Sequence, residues 1–170
     1  MKVSCVIPTF NRFPSAALLV DEAVESFLRQ DYPDKELIIF NDTPGQILEI
    51  DHPEVVVVNS PRRYKTLGEK LNAAFGIASG EYLCRFDDDD ISLPWRLSLS
   101  VERCKGLAYW SSEEFFFHNG QSSRVSRQGA PSKSIWTRVI FDEVGGFPHI
   151  DSGQDQDFQT LCKKAQPKLF

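Results

Sequence analysis

Histidine is scarce. The chain holds three, His52, His118 and His149, and no two of them stand at metal-ligand spacing. A histidine-rich metal centre is therefore excluded. The four cysteines, Cys5, Cys84, Cys104 and Cys162, contain no C-x-x-C pair. That removes a zinc knuckle and a thioredoxin-type redox site. No apolar run approaches the roughly 20 residues that span a bilayer. The opening, Met1 to Pro8, is too short and too soon polar for a signal peptide. With no export signal, the cysteines read as reduced and the protein as cytoplasmic. Asn41-Asp42-Thr43 is then an accidental glycosylation sequon. A basic excess is missing too: 19 Lys and Arg face 24 Asp and Glu, a net charge of −5. This argues against a general nucleic-acid binder but leaves room for a local basic site.

What is present is enough for a core. Of 170 residues, 41% are hydrophobic and 12% aromatic. A globular chain of this size hides roughly 70% of its unfolded surface. One domain over residues 1–170 is the simplest organisation, with no repeat, linker or low-complexity tract.

Short apolar runs alternate with helical patterns. Val3 to Ile7, Glu36 to Phe40, Val55 to Val58 and Tyr82 to Phe86 read as buried strands. Ala16 to Gln30 and Leu67 to Ala78 show helical spacing, and Pro94 suits the first turn of a helix reaching about Lys105. Continuous apolar strands between helices predict an α/β sandwich around a mainly parallel sheet. After residue 107 the texture changes. Trp110 to His118 and Gln121 to Arg127 flank Asn119-Gly120, a strong hairpin signal. Thr137 to Val144 and Gln156 to Lys164 are short helical candidates. Trp95, Trp110 and Trp136 are expected in the core or a site wall, with sugar stacking open to Trp110 or Trp136. One ring of Phe115-Phe116-Phe117 should point outward, which leaves a homo-oligomer open.

Four consecutive aspartates, Asp87 to Asp90, follow the fourth strand. An acidic run is often just a solvated loop. Here it stands past the carboxyl end of a buried strand, where open α/β sheets bind ligands. Hard carboxylate oxygens there suit Mg²⁺ or Mn²⁺, which commonly also hold substrate phosphates. Pro8-Thr9-Phe10-Asn11-Arg12 and Asn41-Asp42 follow two other strands. Thr9 and Asp42 could equally cap turns, but three polar strand ends on one sheet edge make a site. Arg62, Arg63, Lys65 and Lys70 could supply cations to an anionic ligand in this acidic protein.

These segments resemble the family 2 glycosyltransferases of the GT-A fold. Val6 to Arg12, Gln30-Asp31-Tyr32-Pro33, Glu36 to Ile39 with Asn41-Asp42, and Gly68 to Asn72 followed by Ala78 to Leu83 occur in that family's order. Phe86 to Asp90 with Pro94 and Arg96-Leu97 are similar to its "D-x-D" motif and following helix. Gly145-Gly146-Phe147 and Gly153 to Phe158 resemble its acceptor-side segment. The resemblance covers about residues 2–160. It implies a Rossmann-like α/β/α sandwich with a small β-hairpin in the second half. Residues 1–106 would bind the nucleotide sugar and 107–170 would form the acceptor side.

Site roles follow from the same resemblance. Pro8, Thr9, Asn11, Arg12, Asp42, Arg63, Lys70, Asn72, Asp87 and Asp88 would hold the nucleotide sugar. Asp89 would bind Mn²⁺ or Mg²⁺, with Asp87 and His149 as further candidates. Asp155 falls where the family places its catalytic base, and Asp157 is the alternative. Two positions depart from the family: Asn41 replaces an Asp, and Gln154 replaces the Glu before the base. After Asp157 only 13 residues remain, so a nearly minimal member is expected.

The implied reaction is an inverting transfer from a nucleotide sugar, UDP-linked by resemblance, to an acceptor hydroxyl of a glycan or other molecule. Two alternatives stand beside it. A nucleotide-sugar or glycan-binding module would share the donor site without turnover. A sugar nucleotidyltransferase would normally carry a Gly-rich phosphate loop after the first strand, and Pro8 to Arg12 contains no Gly.

Overall fold

A computed structural model of the chain describes residues 1–12, 17–112, 115–118, 123–126 and 133–169, with backbone only for 115–118 and 123–126. In chain order the elements are β1 (Val3–Thr9), α1 (Ala17–Leu28), β2 (Lys35–Asn41), β3 (Val55–Asn59), α2 (Leu67–Gly76), β4 (Tyr82–Arg85), α3 (Arg96–Cys104), β5 (Tyr109–Ser111), β6 (Phe115–His118), β7 (Ser123–Ser126), β8 (Ser134–Thr137), α4 (Arg138–Val144) and α5 (Gln154–Ala165). Six strands form one sheet in the order β3-β2-β1-β4-β8-β5. The first four are parallel. β8 pairs antiparallel with β4, and β5 antiparallel with β8.

β1, β2 and β4 are buried on both faces, and alternation sorts their side chains between two cores. Val55–Asn59, expected as a buried strand, is instead the sheet edge, with only Val55 buried and Val56 exposed. Val3, Cys5 and Ile7 of β1 pack with Leu37 and Ile39 of β2 against Val20 and Phe27 of α1 and Leu97 of α3. Val6, Ile38 and Phe40 face the other way, onto Leu71 and Phe75 of α2. There Phe75, Trp136, Phe141, Phe147 and Phe158 form an aromatic cluster, with Phe147 and Phe158 stacked at 4.4 Å. Gln30 fastens α1 to α3. Its amide donates to the Leu93 carbonyl at 2.9 Å and its oxygen accepts from the Leu97 N–H at 3.0 Å.

The helix expected from Thr137 forms as α4 with Thr137 as its N-cap, but the extended run Ser134–Thr137 before it, β8, was not expected. The cause is tertiary: Ile135 and Trp136 fill a slot beside β4, and the four-residue run is too short for periodicity to reveal it. The expected strand from Trp110 is divided between β5 and β6. Trp95 is no core residue: it is 53% exposed, at the entry to α3. Trp136 is 1% exposed and so closed to sugar stacking, while Trp110 packs half-buried against the first core. The hairpin pairs Phe115 with Ser126 and His118 with Ser123. Its Asn119-Gly120 turn and the phenylalanine rings lie outside the described residues.

Candidate active site

Parallel pairing puts the ends of β1, β2 and β4 on one edge of the sheet. Thr9 stands beside Asn41, and Arg85 beside Val6. The loops leaving these ends build a cleft of about 440 Å³ lined by Pro8, Phe10, Arg12, Arg63, Lys70, Arg85, Asp87, Asp88 and Asp89, with Asp151 and the start of α2. Asp151 was missed in the sequence. Its Oδ1 accepts from the Leu67 N–H at 3.0 Å and so caps α2.

At the β2 end, Asp42 is fully buried. Its Oδ1 accepts from Arg63 Nη1 and Lys70 Nζ, each at 2.7 Å, and its Oδ2 from the Tyr64 N–H at 3.0 Å. Burial alone would raise this carboxyl. The Lys70 hydrogen bond, the Tyr64 amide and the Arg63 charge outweigh it and hold Asp42 below the usual carboxylate range. Burial in turn lowers Lys70, whose ammonium also donates to the Thr9 carbonyl at 2.6 Å. Asp42 thus reaches the cleft through Arg63 and Lys70 rather than by surface of its own. Arg63 also covers the Phe10 ring at 3.6 Å, a cation–π contact at the cleft mouth.

Asn41, where the resemblance implies an Asp, is used as an amide. It donates to the Gln46 carbonyl and to Asn59, both at 3.0 Å, and accepts from the Thr43 N–H at 3.1 Å. A carboxylate could not make the two donations. Asn11 turns the β1 loop with φ +54°, a conformation that Asn tolerates, and donates its N–H to Thr43 Oγ1 at 2.7 Å.

Each aspartate of the run meets a cation. Arg12 grips Asp88 with Nε at 2.9 Å and Nη2 at 2.7 Å, and reaches Asp89 at 3.0 Å. Arg85 Nη2 lies 2.7 Å from Asp87. Lys133 lies 2.6 Å from Asp87 and also pairs with Asp90. Burial works against Asp87, but Arg85 and Lys133 hold it at about 2. Burial raises Asp90 despite Lys133. Four adjacent anions thus persist together because three protein cations answer them.

Among the described residues no three His, Cys, Asp or Glu side chains converge as a ready metal centre. The donor set still suits a hard divalent ion. Asp89 is half exposed at the cleft and, among the described residues, meets only Arg12, and Asp87 lines the same cleft. Mg²⁺-type sites commonly use one or two carboxylates and complete their shell with phosphate and water. His149 is placed differently. It lines a neighbouring recess with Arg62, Tyr64 and Lys65, its Nδ1 3.7 Å from Glu69.

The fold brings Asp155 to this edge from far along the chain. Gly153, at φ +82°, turns the backbone into α5, and Asp155 follows in the first turn. Its Oδ2 accepts from Arg85 Nη1 at 2.6 Å. Burial raises the carboxyl, and Arg85 opposes that only in part. Asp157 is exposed on the same turn and does not line the cleft. Asn72 also stays out of the cleft. Its amide donates to the Phe147 carbonyl at 2.9 Å and accepts from the Phe147 N–H at 2.7 Å. Asn72 therefore clamps the segment that leads to α5.

The Glycosyl transferase family 2 profile matches residues 4–117. The uncharacterized glycosyltransferase YwdF of Bacillus subtilis is 29% identical over 96% of this chain and 69% of its own length. A GalNAc(5)-diNAcBac-PP-undecaprenol beta-1,3-glucosyltransferase of Campylobacter jejuni is 31% identical over 79% of this chain and 42% of its own. Among solved structures, the mannosyltransferase PcManGT from Pyrobaculum calidifontis, in complex with GDP-Man and Mn²⁺, superposes with a TM-score of 0.70 at 19% identity. That match covers 94% of this chain and 51% of the other. S. aureus TarS 1-349 with UDP-GlcNAc gives 0.65 at 18% identity, over 95% and 53%. The chain thus spans about half the length of these solved structures.

Proposed function

The chain belongs to glycosyltransferase family 2 and has the GT-A fold, and from that premise we propose that it transfers a sugar, with inversion, from a UDP-sugar to an acceptor hydroxyl. One observation carries the reading. A single guanidinium, Arg85, lines the cleft and joins Asp87 of the aspartate run to Asp155, so the candidate base is tied to the cleft floor through one side chain.

The donor end follows from the cleft wall. Asp42 fixes Arg63 and Lys70, and Phe10 under Arg63 offers an aromatic face to a nucleobase. Arg12, Lys70 and Arg63 supply positive charge for a diphosphate. Asp89, with Asp87, would hold Mn²⁺ or Mg²⁺, which when bound supplies Lewis-acid charge to the leaving diphosphate. The metal-bearing and UDP-bearing structures of similar fold support these ligand classes. A relative named as a UDP-Glc-dependent glucosyltransferase favours UDP over GDP.

The acceptor end rests on Asp155. Burial raises its carboxyl, which makes it a better proton acceptor than an ordinary exposed aspartate. One base and one leaving group give a single displacement, hence inversion. Relatives act on diphosphoundecaprenol-linked sugars, so a glycan acceptor is the class to test first.

The test is a panel of UDP- and GDP-sugars with Mn²⁺ or Mg²⁺, read as thermal shift and as released nucleotide. A UDP-sugar should raise the melting temperature only with metal, and EDTA should abolish release. Asp155→Asn should lower turnover at least 100-fold while the shift survives. No shift with any sugar nucleotide overturns the donor site. Undiminished turnover in Asp155→Asn overturns the base.

A further inference from the structure

Arg85 has no assigned part in the sequence motifs, yet it joins two carboxylates that lie far apart in the chain. It ends β4, the strand that leads into the aspartate run, and is mostly buried beneath the cleft floor. Its fork divides between two partners: Nη2 holds Asp87 Oδ1 at 2.7 Å and Nη1 holds Asp155 Oδ2 at 2.6 Å. Its backbone is fixed as well, because its carbonyl accepts from Arg96 Nη2 at 2.6 Å.

The two carboxylates depend on Arg85 unequally. Asp87 keeps a second cation, Lys133 at 2.6 Å. Among the described residues Asp155 pairs with no other cation, and the Lys133 charge acts on it only from beyond ion-pair distance. Its remaining side-chain hydrogen bond among them comes from the Gln154 amide, 3.4 Å from the same Oδ2. Both donors therefore gather on Oδ2, and Oδ1 makes no hydrogen bond among the described residues. Gln154 is 5% exposed and its own Oε1 is buried without a partner. The neighbour thus adds no second anchor that would turn the carboxylate another way. A group held by one oxygen in a rigid fork presents the other in a fixed direction.

We propose that Arg85 is the positioning residue of the transfer step: it holds Asp155 by Oδ2, presents Oδ1 to the acceptor hydroxyl, and ties that orientation to the donor-side loop through Asp87. The inference rests on Asp155 as base. In the step itself, Oδ1 takes the hydroxyl proton as the acceptor oxygen bonds to the anomeric carbon. The bond from that carbon to the diphosphate breaks, and its electron pair leaves with the diphosphate. Arg85 touches no reacting atom.

The unequal dependence gives the test. Nucleoside diphosphate release is followed with Mn²⁺, water as acceptor, and the sugar nucleotide of largest thermal shift. Arg85→Gln should lower kcat at least tenfold while donor KM changes less than threefold, because Lys133 still holds Asp87. In an Asp155→Asn background the same substitution should cost less than twofold more, since it acts through the missing group. Arg85→Lys, which can reach only one carboxylate at a time, should fall between wild type and Arg85→Gln and serves if Arg85→Gln does not fold. A loss carried mainly in KM, an unchanged kcat, or a full further loss in the Asp155→Asn background overturns the positioning role. Wild-type release by Asp155→Asn alone overturns instead the assignment of the base.

Discussion

Asp42 is a buried charge that organises the cleft wall without lining the cleft itself. It lies out of solvent, and its two oxygens organise a lysine, an arginine and a backbone amide. Removing the charge strands Lys70, which is 3% exposed. An ammonium left without its carboxylate in that setting costs about 3 kcal/mol. Asp42→Asn should therefore melt markedly lower, and should lose the metal-dependent shift with UDP-sugars because Arg63 and Lys70 are no longer fixed. Calorimetry with and without nucleotide checks both. A variant that melts lower yet keeps the full shift would show that Asp42 serves the fold alone. The motif made Asp42 conspicuous in the sequence. Its burial was not visible there, because the residues that cover it, Arg63 and Lys70, come from the next loop and helix.

Among elements, α2 joins the cleft wall to the segment that leads into α5. Thr66 caps it by accepting from the Glu69 N–H at 3.2 Å, and Asp151 caps it from the far end of the chain. Its first turn packs backbone to backbone on the segment before α5. The Gly68 N–H donates to the Ile150 carbonyl at 3.2 Å, and a Cβ on Gly68 would stand 1.8 Å from the Pro148 carbonyl oxygen. That neighbour is main chain and cannot rotate away. Gly68→Ala should cost about 2 kcal/mol through overpacking. It should also displace the 148–155 segment, lowering kcat more than it weakens nucleotide binding. Melting temperature and the kcat–KM split check this. Gly68 fits the resemblance as a motif letter, but only the docked segment explains why no side chain fits.

At the scale of the whole molecule, acidity is divided between the two edges of the sheet. The carboxyl edge gathers Asp42 and the aspartate run. At the opposite edge Glu36 joins the starts of three strands. It accepts from Lys2 at 2.6 Å, Ser4 at 2.5 Å and the Ser79 N–H at 2.7 Å, while the Gly80 N–H donates to Ser4 Oγ at 2.7 Å. Burial would raise Glu36, but Lys2, Ser4 and Ser79 hold it down to about 2 from 4.5. A carboxyl depressed in the folded state stabilises the fold above its unfolded value, and that stability is lost as pH falls from about 4.5 to about 2. Glu36→Gln should be less stable by about 2 kcal/mol at pH 7, and the difference should vanish by pH 2. Urea unfolding at several pH values reads it. A difference that does not change with pH would mean that Glu36 contributes through packing alone.

Several features were determined by the sequence itself. Apolar runs broken by helical patterns dictated a mainly parallel sheet, because strands buried on both faces need covering helices. Polar residues at three strand ends dictated where the cleft would be, because parallel strands point their carboxyl ends the same way. Contacts across large chain separations were left to the tertiary structure. The extended course of Ser134–Thr137 was decided by the space beside β4 for Ile135 and Trp136. The place of Asp155 was decided by Asn72, which holds Phe147 from 75 residues away, and by Arg85, which meets Asp155 across 70. Local pattern records which faces are apolar and where polar groups fall along the chain. It does not record which cation will answer which carboxylate, since that depends on the packing that brings them together.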